Sequence, residues 1–537
     1  MLDATVRLLV AKKRNFSYFC SIIRQKMTTE QQTLPDDFTS YTSKLMGEEL
    51  YDTFIKALEE EPPVSIRLNK LKTGEGQEQA TDGYDGKVAW CHEGVYLSTR
   101  PNFTADPLLH AGCYYVQEAS SMFVTHVLRQ LVKEPVTMLD LCAAPGGKST
   151  AARSVLPEGS LLFANEPMRN RANILSENIQ KFGHPDVIVT NNFPRDYKRS
   201  KLMFDVVLAD VPCSGEGMFR KDSGAVDDWS RTKVDECASL QRDIISDIWN
   251  CLKPGGILIY STCTFNADED EDNVMWIANN LGADFIKIDT QPEWAITPAL
   301  TQGQKGETSG NWPLTSSNGE TDASGNEPSK EQLPCYRFIP GRTRGEGLFM
   351  AVLRKHGEWK DNAKETKDSK KGKDRKKKGN NNIESKAALP ATLPLFHADR
   401  YALLQHGESV FAINREWEST ATVAMASLNV MNMGVTIGTM RGKTLLPDQS
   451  LALSTILDRN AYPVVDVSLT EAISYLRRDT IALPPNTPTG FVLITFRDHP
   501  LGFVKNIGNR CNNLYPAEWR IKSTHLEEQY EEILKEL

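Results

Sequence analysis

From Val136 onward the chain alternates short apolar runs with stretches of helical spacing: TMLDL then AARSVL, SLLFAN then RANILSENIQKF, then DVIVT, FDVVLAD, VDECASLQRDIISDIWNCL and GGILIYS. This alternation predicts parallel strands joined by crossover helices, the pattern of an α/β domain. Ahead of it, residues 36–61 place Phe38, Leu45, Leu50, Phe54 and Leu58 at helical spacing and end at Pro62 and Pro63, predicting a helical N-terminal region that leads into PPVSIRLN. Beyond Leu395 the strand-like pieces SVFAI, YPVVDV and FVLITF and one helix, SLTEAISYLRR, predict a smaller α+β, β-rich appendage.

Two stretches carry too little apolar content to order themselves. Residues 301–332 are rich in Gly, Ser, Thr, Asn and Glu and read as an insert in the sheet domain, after which GEGLFMAVLRK returns as a final strand of the same sheet. The Lys-rich residues 359–394 read as a linker. The expected organisation is an extension over 1–33, an N-terminal helical region over 34–130, the sheet domain over 131–358, this linker, a small α+β domain over 395–460 and a last module over 461–537. The basic first 26 residues precede a start at Met27 or form an organelle import signal.

Composition narrows the function classes. Lys and Arg total 62 against 70 Asp and Glu, a net charge of -8, so nucleic acid can be met only by local basic patches. Ten Cys residues without a CxxC pair or zinc spacing suggest neither metal nor disulfide framework, and a reducing cytoplasm is expected. No apolar run reaches the roughly 18 residues of a membrane span.

The sharpest local signal is VTMLDLCAAPGGKST over 136–150, a strand ending in a small-residue loop that opens a helix and aims backbone N–H groups at a ligand. The glycine spacing fails for a dinucleotide loop. A Walker loop would need glycine where Cys142 stands, so an NTPase fits poorly. Glu166 follows the next strand and would accept ribose hydroxyls at the same sheet edge.

DLCAAPGGKST, with DVPCSGEGMFRKD and YSTCTF downstream, resembles the Nol1/Nop2/Sun family of RNA cytosine-5 methyltransferases, in its bacterial RsmF-like branch, over residues 34 to about 521. The resemblance implies a Rossmann-like class I methyltransferase sheet with a C-terminal PUA-like RNA-binding module. It also implies S-adenosylmethionine as cofactor and a substrate cytosine in small-subunit ribosomal RNA, with transfer RNA as the alternative target and a catalytically inactive assembly factor as the alternative role. The implied cofactor residues are Cys142, Ala143, Ala144, Pro145, Gly146, Gly147, Lys148, Glu166, Asn192 near the adenine, and Asp210.

Carbon 5 of cytosine is too weak a nucleophile to take a methyl group unaided, so a thiolate must first add at carbon 6. Cys213 and Cys263 both follow predicted strands, and residue chemistry alone does not rank them. The resemblance implies Cys263 as nucleophile and Cys213 as the release residue. Asp210 would bond the cytosine at N3, with Lys148 as partner of Asp210 or of the cofactor. Glu269 and Glu271 are expected to cap the following helix. RNA contacts are expected at Arg220 and Lys221, directly after the PCSG motif, and at Lys505, Arg510, Tyr515 and Arg520 near the C-terminus. Arg67 and Asn69 are weaker candidates, and a monomer without metal is expected.

Overall fold

The computed structural model describes residues 33–74, 81, 83–300, 314–315, 333–358, 393–442, 444–523, 526 and 529–535. The proposed start region, most of the linker and all of the 301–332 insert except Leu314 and Thr315 lie outside them. Two helices, α1 (Asp36–Met46) and α2 (Glu48–Leu58), open the chain. Phe38, Phe54, Phe219, Trp229 and Phe265 form one aromatic cluster there, so the helical pair seats against the later catalytic loops. The helical expectation describes this pair. After Pro63 the N-terminal region becomes a four-stranded antiparallel sheet of β1 (Val64–Leu68), β2 (Tyr84–Lys87), β3 (Gly94–Leu97) and β4 (Tyr114–Val116), in the order β2-β3-β1-β4. Helix α3 (Phe123–Leu131) leads out of it.

The predicted α/β pattern forms as read. Strands β5 (Thr137–Asp140), β6 (Leu161–Asn165), β7 (Val187–Thr190), β8 (Phe204–Asp210) and β9 (Leu252–Thr262) are parallel, with helices α4 (Gly147–Val155), α5 (Arg169–Phe182) and α6 (Arg231–Ile248) between them. Helix α7 (Glu271–Ile277) and strands β10 (Ala283–Ile286), β11 (Leu314–Thr315), β12 (Cys335–Phe338) and β13 (Leu348–Lys355) follow. The sheet order is β11-β10-β13-β9-β8-β5-β6-β7-β16, with β12 on β13. Strand β13, predicted from GLFMAVLRK, inserts antiparallel between β9 and β10. Both faces of the sheet are covered by apolar clusters, which is why its strands read as continuous hydrophobic runs.

The stretch after residue 393 divides. Strands β14 (Tyr401–His406), β15 (Ser409–Asn414), β17 (Val435–Arg441) and β18 (Thr444–Pro447) make their own sheet. Strand β16 (Val430–Met433), which follows helix α8 (Glu418–Ser427), instead pairs antiparallel with β7 at the edge of the central sheet. The last module carries helix α9 (Leu469–Leu476) and a sheet of β19 (Val464–Asp466), β20 (Gly490–Phe496), β21 (His499–Asn506) and β22 (Cys511–Asn513). Its core merges with that of the N-terminal sheet through Ile66, Leu68, Ile473, Leu476 and Val504.

Candidate active site

The C-terminal ends of the parallel strands converge on one edge, the position at which open α/β sheets hold ligands. Strand β5 ends at Asp140, and the loop Leu141–Gly146 turns into α4. Gly146 has φ 115°, a left-handed conformation that a side chain would strain. The loop is tied down by its carbonyls, with Arg171 donating to Ala144 O at 2.8 Å and Asn178 to Pro145 O at 2.8 Å. Its neighbour on the N-terminal sheet is Tyr115, whose ring would lie 3.2 Å from a Cβ at Gly147. The first N–H groups of α4 have no partner within the helix and complement a polar ligand.

Two buried carboxylates flank this loop with oxygen capacity to spare. Glu166 is 1% exposed, and its Oε1 accepts from Met168 N at 2.9 Å. Its Oε2 accepts no hydrogen bond, although Arg171 Nη1 stands 3.3 Å away. Burial pushes this carboxyl up, against the pull of Arg171. Asp140 accepts from Ser149 Oγ at 2.6 Å through Oδ2, while Oδ1 is unpartnered, and burial pushes its carboxyl up to about 7. Acceptors in need of donors fit the ribose hydroxyls and ammonium group of S-adenosylmethionine. Cys142 is half-buried in the same loop, its thiol raised by burial and by the charge of Glu166.

Asn192 is tied to a distant backbone segment. Its Oδ1 accepts from Asn429 N at 3.1 Å and its Nδ2 donates to Asn429 O at 3.3 Å, so the side-chain amide is committed to the backbone leading into β16. The second Nδ2 hydrogen is left for another acceptor.

Strands β8 and β9 are adjacent, so Cys213 and Cys263, just past their ends, come together at an Sγ–Sγ distance of 3.1 Å. That is a thiol contact, well beyond the roughly 2.05 Å of a disulfide. Both are half-buried free thiols. The Cys213 thiol is held well above its ordinary range by its hydrogen bond to Cys263, then by burial and by the charges of Cys263 and Glu269. Beside them Lys148 Nζ pairs with Asp210 Oδ2 at 2.9 Å, and Ser261 Oγ donates to Asp210 Oδ1 at 2.7 Å. Burial pulls the Lys148 ammonium down, yet the Asp210 pair, with a further contribution from Cys263, holds it above its ordinary value.

Sequence reading missed the layer beneath the thiols. Glu216, 1% exposed, accepts from Phe265 N at 2.6 Å, Asn266 N at 3.1 Å and Trp229 Nε1 at 3.0 Å. Glu269, fully buried, accepts from Ser214 N at 3.0 Å and Gln241 Nε2 at 2.7 Å. Glu271 accepts from Leu300 N at 2.9 Å and pairs with the buried Arg337. Glu269 therefore braces a loop, while Glu271 lies in the first turn of α7, where its charge complements the helix dipole, and braces a loop as well; α7 has no side-chain cap hydrogen bond. The signal available was GEG directly after PCSG, a charged residue between two glycines that permit close approach.

The expected RNA contacts separate by exposure. Arg220 is corrected: its side chain is 5% exposed, pairs with Glu346 at 2.7 Å and donates to Ala57 O and Gly345 O, so it faces inward. Tyr515 is likewise corrected, being 1% exposed and packed edge-on against Tyr475 in the core shared with the N-terminal sheet. Arg67 is buried too, bonded to Gln117 and Thr150, and Asn69 donates to Gly112 O and Phe182 O. Lys221 is exposed, 3.8 Å from Glu346. Lys505, Arg510 and Arg520 are exposed, with Lys505 over the Phe491 ring.

Residues 128–354 match the family described as 16S rRNA methyltransferase RsmB/F. Residues 34–119 match the N-terminal domain of 16S rRNA methyltransferase RsmF, and residues 462–521 match the methyltransferase RsmF PUA domain. The protein named Ribosomal RNA small subunit methyltransferase F from Salmonella agona (strain SL483) is 28% identical over 526 residues, covering 90% of this chain and 96% of that one. Its namesake from Enterobacter sp. (strain 638) is 27% identical over 509 residues, covering 90% and 95%. A solved methyltransferase homolog protein from Pyrococcus horikoshii is 26% identical, with a TM-score of 0.47 and coverage of 59% of this chain and 94% of that one. The three matched regions follow one another in the order of the N-terminal sheet, the central sheet and the last module, so the chain is similar along most of its length to the RsmF branch of the 16S rRNA methyltransferase RsmB/F family, and it is a methyltransferase that depends on S-adenosylmethionine.

Proposed function

We propose that this methyltransferase modifies carbon 5 of an unpaired or extruded cytosine in small-subunit ribosomal RNA, with Cys263 as nucleophile and Cys213 as release residue. The observation that carries the reading is the pair of thiols 3.1 Å apart at the strand ends, beside the Lys148–Asp210 pair and on the edge of the cofactor loop. A base must leave its stack to reach such a pocket. The names of the relatives support the RNA target.

Bound S-adenosylmethionine supplies an electrophilic methyl group, and Glu166, Asp140 and the 142–148 loop would hold it. The Lys148 ammonium lies within electrostatic reach of the Cys263 sulfur, which attacks as the thiolate. That thiolate forms a bond to C6 of the cytosine and shifts electron density to C5, the atom that is methylated. The C5 proton then leaves to a base, and the S–C6 bond breaks with its electron pair returning to sulfur. Cys213, in contact with the departing sulfur, serves this release. Asp210, paired to Lys148 and bonded by Ser261, is the more exposed member of the pair and would bond the cytosine at N3.

The test is transfer of labelled methyl to small-subunit ribosomal RNA and subunits by the native chain, C263A and C213A. The expected result is loss of transfer in C263A and accumulation of a covalent protein–RNA adduct in C213A. Undiminished transfer by C263A overturns the reading.

A further inference from the structure

The loops that carry the two thiols exchange carboxylates. Glu216, three residues after Cys213, reaches across to accept from Phe265 N and Asn266 N, on the loop that follows Cys263. Glu269, six residues after Cys263, reaches back to accept from Ser214 N, the residue next to Cys213. The Asn266 amide spans the two, donating to Glu216 Oε1 at 2.9 Å and Glu269 Oε1 at 2.9 Å. Gly217 N completes the seam by donating to Cys263 O at 2.8 Å.

The two acids are not equivalent toward the thiols. Glu269 sits against the backbone of Cys213's own loop and acts on that thiol, whereas Glu216 is directed at the backbone beyond Cys263. Two cysteines in contact compete for one task, because the more easily ionised one becomes the nucleophile. An anion behind Cys213 adds to the hydrogen bond and the burial that oppose its ionisation, and the cation within electrostatic reach of Cys263 is Lys148.

We infer that Glu269 is a positioning residue that divides labour between the two cysteines: it fixes the Cys213 loop through Ser214 N and keeps Cys213 a neutral thiol, leaving Cys263 as the sole nucleophile. This rests on the cysteine roles proposed above. The hydrogen bond is then Cys213 S–H donating to the sulfur of Cys263. Burial holds the Glu269 carboxyl up to about 7, so above that pH its charge is in place.

The test is alkylation of the full-length protein by iodoacetamide at pH 8, without RNA or cofactor, with modified peptides quantified by mass spectrometry. The native chain is expected to be labelled at Cys263 with Cys213 spared. In E269Q labelling of Cys213 should rise about tenfold, the effect of one unit in thiol pKa. E216Q, which removes an equally buried carboxylate, and E269D, which keeps the charge, should both leave Cys213 spared. If E269Q does not fold, E269D decides: a reactive Cys213 in a folded E269D overturns the inference. So does equal labelling of both cysteines in the native chain, or no rise in a folded E269Q. Because this readout needs no methyl transfer, transfer by C263A would sink the catalytic assignment separately.

Discussion

Gly217→Ala isolates the geometry of Cys263 from its chemistry. A Cβ placed on Gly217 would lie 2.9 Å from Cys263 O, 3.2 Å from Cys263 Cβ and 3.3 Å from its carbonyl carbon. Ordinary contact begins near 3.4 Å, so the backbone of Cys263 must retreat by roughly half an ångström, and the bond from Gly217 N to Cys263 O is strained with it. Overpacking of this kind costs about 1–3 kcal/mol. The displaced atom belongs to the nucleophile, and misplacement of about 1 Å costs on the order of 100-fold in rate, so a loss of about 10- to 100-fold in kcat is expected. The cofactor loop is on other strands, so KM for S-adenosylmethionine should stay within about twofold of the native value. Single-turnover methyl transfer to small-subunit RNA, with a thermal melt to confirm folding, measures both. A folded G217A that turns over within twofold of the native rate would refute the claim that this contact sets the position of Cys263.

Removing one partner of the buried Arg220–Glu346 pair leaves an unpaired charge, so R220A should destabilise the protein by about 3–5 kcal/mol. Its salt dependence of RNA binding should match the native chain's. K505A and R510A should instead melt normally and lower the slope of log affinity against log salt by about 1 each, read by filter binding from 50 to 200 mM salt. N192A should speed hydrogen exchange at the amides of residues 430–433 while changing affinity for S-adenosylhomocysteine less than about threefold; a tenfold loss of affinity with unchanged exchange would point to the adenine contact. Burial holds Asp140 near 7, above the roughly 3.9 of an unfolded carboxyl, so the native chain keeps a proton the unfolded chain has lost. That stabilisation is present at low pH and disappears as pH rises from about 4 to 7. D140N lacks it, so its melting temperature relative to the native chain should climb between pH 5 and 8, and parallel curves would contradict the assignment.

The elements legible in the sequence are those whose partners are close along the chain. Strands β5 to β9 announce themselves because both faces are buried and the middle of each run is apolar. The residue after each strand end is then placed on one edge by topology alone, which is how Cys142, Glu166, Cys213 and Cys263 could be read together. The N-terminal sheet was not legible, since β2, β3 and β4 are three or four residues long and the sequence shows no sustained alternation over them. Strand β16 was hidden for another reason: its partner β7 lies some 240 residues earlier, and no local pattern in NVMNM distinguishes that edge from the sheet of its own neighbours. Charge misled where neutralisation is distant. Arg220 and Lys221 are adjacent in the sequence and equally basic, but Glu346, 126 residues from Arg220, takes the first into the interior and leaves the second exposed. The same distance hides the acids beneath the thiols. Glu269 reads as a helix cap in its own segment and Glu216 carries no reading of its own, and each is buried where it meets backbone N–H groups of the other cysteine's loop. Which groups reach the edge is therefore written locally, and which of them are held neutral, charged or buried there is decided by pairs that the chain brings together only on folding.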